Sequence, residues 1–362
     1  MNKTIFTRNR ICATAIYILF LVSGFNVKAQ IESTIFNPET RTIKESDALF
    51  FTNRPILVNE DNSFTFLNKS TDKTNTLYFC AYDFETDSIY LNARTINLSD
   101  QYPTEKPKYN LFYESYKYYT LERGITRYYI IVGGYGKSFK KQVNSYMKRL
   151  KANYGDSLFN KALVNVFAWG TEEEAYKYYN AVRKSKNGAN DFAIFQHMLD
   201  DFMSDSVFWK SNPKDITVTI LFSSMGNNLF KEYLEERKKQ GIPFVKTYKR
   251  ILFLGSVAPR NAFERGEAFH NLHEMTDTVD VFVNSKDVLL KLSSVAHLKN
   301  RMGNKGPKDP EELPGYINVI DIKDIITIKD MSGLGHDYLL TNPVLQDGIL
   351  ESINKNIEKS EQ

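Results

Sequence analysis

The sequence predicts an α/β protein: a mostly parallel sheet flanked by helices, with antiparallel strands at its N-terminal end. Two patterns carry the prediction. From about residue 127 onward, short β-branched and aromatic runs alternate with amphipathic stretches at helical spacing, the signature of βαβ units. Before that point, strand-like runs are separated by Asn- and Asp-rich turns and no helical period is sustained, which reads as antiparallel pairing.

The N-terminal elements are expected at Ala48–Thr52, Ser63–Leu67 and Leu77–Tyr82, followed by an aromatic ladder from Tyr109 to Tyr119 whose secondary structure the pattern leaves open. Arg127 to Val132 then forms a strand that ends in Gly133-Gly134-Tyr135-Gly136. A helix over residues 138–154, a strand from Ala162 to Trp169, and two helices over residues 172–184 and 189–204 come next. In the second of these, Phe192, Phe195, Met198, Leu199 and Phe202 share one face. Further strands are expected at Thr217–Phe222, Arg250–Gly255, Val279–Asn284 and Tyr316–Ile320, and a closing helix from about Pro343 to Ile357. The division implied is residues 1–29, a strand-rich segment over 30–115 joined to the main sheet, and an α/β domain over 116–358.

Residues 1–29 read as a secretory signal. Lys3, Arg8 and Arg10 precede the apolar run Ile11 to Val22, and Val27 and Ala29 place small residues for cleavage before Gln30. The expectation is an exported protein, periplasmic or secreted, with no stable membrane span once the signal is gone; an uncleaved anchor is the competing reading. Lys28 and the three residues above account for four of the 47 basic side chains, so 43 remain against 43 acidic ones. A mature chain near neutrality lacks the electrostatic footprint of a nucleic-acid binder. Of the two cysteines, Cys12 leaves with the signal. Cys80 is then alone in an apolar strand, which excludes an intrachain disulfide and suits a buried structural thiol.

One stretch carries the chemistry. Thr217 to Phe222 is a buried-strand pattern, and from Asn227 the residues Leu229, Phe230, Tyr233 and Leu234 recur at helical spacing, with only Ser223-Ser-Met-Gly226 between. So abrupt a strand-to-helix turn lifts one side chain, Ser224, above the sheet edge beside helix N–H groups: the geometry of a nucleophile elbow. An ordinary junction with a Ser cap gives the same local pattern. A nucleophilic serine needs a base and an orienting acid. Among the five histidines, His336 stands apart in the Gly-bounded loop Met331-Ser-Gly-Leu-Gly-His-Asp-Tyr after the last strand. The other four sit in helical or post-strand runs, and His270-x-x-His273 is too sparse a pair to define a metal site. Asp287, just past the strand Val279–Asn284, is the candidate acid; capping of the next helix is its alternative role and Asp321 its competitor.

Several short motifs, in this order, resemble a bacterial branch of the α/β-hydrolases whose elbow reads His-Ser-Met-Gly-Asn. Phe51-Thr-Asn-Arg54 is similar to a Thr-Asn-Arg opening, Ile131-Val-Gly-Gly-Tyr-Gly136 to a Val-His-Gly-Tyr-Asn turn, and Phe167-Ala-Trp169 to a Ser-Trp strand end. Ser223-Ser-Met-Gly-Asn227 falls on the elbow, Asn284-Ser-Lys-Asp287 on an Asn-Asp turn, Arg301-Met-Gly303 on an Arg-Leu-Gly loop, and Gly335-His-Asp-Tyr338 on Gly-His-Ser-Tyr. The resemblance implies an α/β-hydrolase fold with Ser224, Asp287 and His336 as the triad. The chain departs from it at Phe222, where a small residue is usual, at Ser223 and Gly133, where the family has His, and in Ala258-Pro-Arg-Asn, which lacks acidic residues.

The expectation is an exported serine hydrolase of esterase or lipase type acting on a small-molecule, lipid or glycan ester without metal or cofactor. Its oxyanion donors would be the N–H groups of Met225 and of the Gly134-Tyr135 turn, with Trp169 and Tyr338 lining the substrate pocket. The alternative is a non-catalytic binding or surface-interaction protein on the same fold.

Overall fold

A computed structural model describes residues 48–58, 60, 64–67, 76–83, 88–91, 96–97, 110–134, 162–171, 178–212, 215–297, 300–326, 336, 342, 344 and 345. The described strands are β1 (Ala48–Thr52), β2 (Ile56–Val58), β3 (Phe64–Phe66), β4 (Thr76–Asp83), β5 (Ser88–Leu91), β6 (Ile96–Asn97), β7 (Arg127–Val132), β8 (Leu163–Phe167), β9 (Thr217–Ser223), β10 (Tyr248–Leu254), β11 (Thr276–Val283) and β12 (Ile317–Asp321). The helices are α1 (Asn110–Lys117), α2 (Tyr178–Ser204), α3 (Ser206–Ser211), α4 (Gly226–Lys239), α5 (Val288–His297) and α6 (Met302–Lys305).

The main sheet has the order β12-β11-β10-β9-β7-β8-β1-β4-β5, with β6 also on β4. From β12 to β1 neighbouring strands run parallel; β4 then pairs antiparallel with β1, β5 and β6. The N-terminal segment is therefore divided in use. β1 is an interior parallel strand between β8 and β4, while β2 and β3 form a separate hairpin. The chain leaves β7 to one side for β8 and returns on the other as β9, so strand order reverses at β7. Ligand crevices in open α/β sheets lie beyond the strand ends at such a point.

Side-chain alternation builds a core on each face of the sheet. Leu49, Phe51, Ile130, Val132, Ile220 and Phe222 pack on one face with Phe192, Phe195, Met198, Leu199 and Phe202 of α2 and with Leu229, Phe230 and Leu234 of α4. Phe50, Cys80, Ile131, Val166, Leu221 and Phe282 fill the other. Cys80 is fully buried, and burial pushes its thiol above the ordinary range. The aromatic ladder is helix α1 continued by a π-helical turn, Tyr118–Glu122, which closes with Thr120 Oγ1 donating to the Tyr116 carbonyl at 2.6 Å.

One expected division is corrected. In place of two helices over 172–184 and 189–204, the described residues form a single helix, α2, that runs through Gly188. Gly188 serves as a contact point: a Cβ there would lie 2.9 Å from Leu229 Cδ1 and 3.2 Å from Trp169 Cε3. The glycine lets α2 approach α4 and the end of β8. The expected helices over 138–154 and from Pro343 onward fall outside the described residues, except Val344 and Leu345, which are helical.

Candidate active site

β9 ends in register with both neighbours, Phe222 lying opposite Val132 of β7 and opposite Phe253 of β10. The Ser224 N–H extends the ladder by one bond, donating to the Leu254 carbonyl at 2.9 Å. The chain then turns at once into α4. Ser224 takes φ = 53°, the left-handed region that only a few per cent of non-glycine residues enter. Asn227 ties the turn together, its Nδ2 donating to the carbonyls of Phe222 (3.0 Å), Ser224 (3.0 Å) and Leu254 (3.3 Å).

Ser224 Oγ lies 2.6 Å from His336 Nε2, and His336 Nδ1 lies 2.7 Å from Asp287 Oδ2. An ionised carboxylate only accepts, so Nδ1 carries the ring proton and Nε2 is left to accept the serine hydroxyl proton. The histidine side chain is 11% exposed and the aspartate 0%. Asp287 uses its second oxygen to cap α5, with Oδ1 accepting from Leu290 N at 2.9 Å. Asp287 thus has one oxygen on His336 and the other on the helix terminus. Asp321 is elsewhere: half-exposed at the end of β12, it accepts from Lys323 N at 3.0 Å and faces Lys323 Nζ at 3.3 Å.

The turn carrying Asp287 is held from outside the strand. Asn284 N donates to Gly303 O at 2.8 Å, and Asn304 Nδ2 donates to the carbonyls of Asn284 (3.1 Å) and Ser285 (3.3 Å). Arg301 anchors that segment, its Nε donating to Ser293 Oγ at 3.0 Å and its Nη1 to Val257 O at 2.8 Å. Gly303 has no room for a side chain, since a Cβ would fall 2.3 Å from Ser256 N. Asn227 entered the sequence reading only as the last residue of the elbow motif, and Asn304 did not enter it; neither was given a role there. The available signal was an Asn immediately following a glycine in a turn, a side chain suited to bonding nearby carbonyls.

Met225 is the N-cap of α4, where backbone N–H groups lack intrahelical partners and the helix dipole favours negative charge. Across from it, Gly134 abuts the serine: a Cβ on Gly134 would lie 2.8 Å from Ser224 Cβ and 3.4 Å from Ser224 Oγ. Tyr135 and Tyr338 lie outside the described residues. The expectation that Trp169 lines a substrate pocket is corrected. The ring is 0% exposed, packs in the α2/α4 core, and donates its indole N–H to Gly133 O at 2.7 Å.

A mostly parallel sheet whose strand order reverses at β7, a serine at a left-handed strand-to-helix turn and a His–Asp pair in the order Ser, Asp, His together define an α/β-hydrolase fold. The model of one family, described as alpha/beta hydrolase of unknown function (DUF900), matches residues 122–353, and the chain belongs to that family. No curated protein and no solved structure matches the chain.

Proposed function

We propose that this chain is an exported serine hydrolase of esterase type, with Ser224 as nucleophile, His336 as general base and Asp287 as the acid that holds the imidazole. The reading rests on one observation, the continuous hydrogen-bonded chain Ser224–His336–Asp287 at a serine held in a left-handed turn. A serine hydroxyl is a poor nucleophile until a base removes its proton, and the 2.6 Å separation of Nε2 from Oγ supports His336 in that role. As Oγ attacks an acyl carbonyl, the proton passes to Nε2 and the imidazolium is stabilised by the Asp287 carboxylate. Negative charge gathers on the carbonyl oxygen, which the N–H groups of Met225 and of the Gly134-Tyr135 turn would receive. Each such donor contributes about 3 kcal/mol of transition-state stabilisation. Collapse of the tetrahedral species expels the alcohol, which takes the proton from Nε2, and water repeats the sequence to release the acid.

The substrate class is an acyl ester of a small molecule, lipid or glycan, and export follows from the signal pattern of residues 1–29. The test is covalent labelling by a fluorophosphonate, run beside hydrolysis of a chain-length series of p-nitrophenyl esters. Wild type should label and hydrolyse while Ser224→Ala does neither; failure of wild type to label overturns the reading.

A further inference from the structure

Two bonds inside the turn Asn284-Ser285-Lys286-Asp287 close it without saying where it stands. Asp287 N donates to Asn284 O at 3.1 Å, and Lys286 N donates to Asn284 Oδ1 at 3.0 Å. A turn closed on itself can still shift as a unit relative to Ser224. The strand before it is fixed by its neighbours, with Ile322 N donating to Val283 O at 2.9 Å at the β12 edge. The turn itself is held by the pair Gly303-Asn304. Gly303 O accepts from Asn284 N at 2.8 Å, and Asn304 Nδ2 donates to the carbonyls of Asn284 (3.1 Å) and Ser285 (3.3 Å). The Asn284 carbonyl that Asn304 grips is the one that receives the Asp287 N–H. Asn304 is 3% exposed, so bulk water does not compete for these carbonyls.

Gly303 is in turn built onto the end of β10. Gly303 N donates to Ser256 O and Met302 N to Ala258 O, both at 2.9 Å, and a Cβ on Gly303 would lie 2.7 Å from the Gly255 carbonyl carbon. Two residues before Ser256, the Leu254 carbonyl accepts the Ser224 N–H. Serine and acid are therefore joined by a path that does not pass through His336: Ser224, Leu254, Ser256, Gly303, Asn304, Asn284, Asp287. We infer that Asn304 is a positioning residue for Asp287, an inference that rests on the serine hydrolase reading of the site. Its carboxamide couples the turn that carries the acid to the strand that holds the serine. The need is geometric. His336 bonds Ser224 Oγ at 2.6 Å and Asp287 Oδ2 at 2.7 Å from two nitrogens of one rigid ring, so the separation of the two oxygens must match that ring. An amide suits the task, because one nitrogen supplies two N–H donors for two carbonyls. It does so without charge, whereas a lysine reaching the same carbonyls would bring a cation beside a carboxylate that has to serve the imidazole.

The experiment compares wild type with Asn304→Leu, which roughly keeps the volume, and with Asn304→Ala, which adds nothing that could clash; both remove the donors. Misplacing a catalytic group by about an ångström costs about 100-fold, so both variants should lose about 10- to 100-fold in kcat on p-nitrophenyl acetate. KM should stay within about two-fold, because the acid acts on the transition state. A merely structural role would not move the His336 Nδ1 proton, read by NMR on ¹⁵N-histidine protein and assigned by its absence in His336→Gln. In wild type this proton should resonate far downfield and exchange slowly, and in both variants it should move upfield and exchange faster. A variant with a lower urea midpoint but wild-type kcat and Nδ1 resonance overturns the inference and leaves the hydrolase reading intact. Loss of kcat with an unmoved Nδ1 resonance overturns it too, since the loss then does not pass through the acid. Should neither variant fold, wild type decides: the Asn304 side-chain amide protons should exchange slowly, and exchange as fast as that of exposed asparagine amides overturns the inference. The NMR readouts need no turnover, so failure of the hydrolase reading shows separately, as a wild type that neither hydrolyses esters nor labels with a fluorophosphonate.

Discussion

A Cβ placed on Gly226 would lie 2.6 Å from the carbonyl oxygen of Val132, so the first residue of α4 and the last residue of β7 meet through bare backbone. That oxygen cannot move without disturbing the β7–β9 ladder, in which Val132 is opposite Phe222. Gly226→Ala should therefore cost about 1–3 kcal/mol of stability through overpacking. It should also remove the proposed esterase activity by shifting Ser224. Gly315→Ala is the control, because a Cβ there meets nothing within 4 Å. Urea denaturation of the two variants beside wild type measures the difference, and equal midpoints would rule out the close approach.

Ser224 holds φ = 53° without being glycine, and its backbone bears a strain that its side chain makes useful. Ser224→Ala and Ser224→Gly both lack the proposed nucleophile and the hydrogen bond to His336. They differ in backbone, since glycine enters the left-handed region freely and alanine does not. The glycine variant should be more stable than the alanine variant by roughly 1 kcal/mol. Paired urea or thermal unfolding curves test this, and an alanine variant equal to or more stable than the glycine variant would show that the turn relaxes without cost.

The sheet was legible because β-branched runs and helical periods alternate in order, and the same logic located the site. A serine at an abrupt strand-to-helix turn, an acid past a later strand and a histidine in the next glycine-bounded loop must gather at one sheet edge in this topology. Phe222 shows where local reading fails. In sequence it looks like a bulky intruder at a turn that needs small residues. In the fold its ring points under α4, stacked on Phe230 with centroids 4.1 Å apart, and Gly226 and Gly134 supply the clearance instead. The two expected helices left residues 185–188 between them, and Gly188 in that gap weakens a helix by about 1 kcal/mol relative to alanine. Contacts with Leu229 and Trp169 supply the reason for it to remain inside one. The hydrogen bond from the Trp169 indole to the Gly133 carbonyl was out of reach of sequence because it depends on a single distance to a backbone oxygen just past β7.

Asp287 serves two masters, with Oδ2 on His336 and Oδ1 on the first turn of α5. The two roles separate by mutation. Asparagine is as good an N-cap as aspartate, so Asp287→Asn should leave stability nearly unchanged while kcat falls by about 10⁴-fold, because the ring tautomer is no longer fixed. Asp287→Ala should lose the same activity and about 1 kcal/mol of stability with the cap. Asp321→Asn should leave ester hydrolysis at the wild-type rate. Steady-state rates and unfolding midpoints for the three variants check the assignment, and full activity in Asp287→Asn would remove Asp287 from the proposed mechanism.

Asp200 tests the electrostatics of the core far from the serine. It lies buried on α2, where Oδ1 accepts from Gln196 Nε2 at 2.7 Å and from the Thr247 hydroxyl, and Oδ2 is 3.6 Å from Arg237 Nη1. Burial raises its pKa above the ordinary carboxylate value, and the hydrogen bonds from Thr247 and Gln196, with Arg237 and His197, only partly oppose that rise. The sign of the effect follows. At a pH below the ordinary value of about 4 the carboxyl is protonated both folded and unfolded, and its contribution to stability is fully present. As pH rises, the unfolded chain releases its proton first, and the contribution is lost as pH passes through the folded value. Asp200→Asn keeps an acceptor for Thr247 and Gln196 and cannot ionise, so it escapes this loss. The stability of the variant relative to wild type should therefore increase from about pH 4 to pH 7, whatever the fixed cost of leaving Arg237 with the Pro243 carbonyl and Tyr233 hydroxyl as its partners. Urea titrations across that range give the difference directly, and a relative stability that falls with pH would mean that pairing with Arg237 outweighs desolvation at this site.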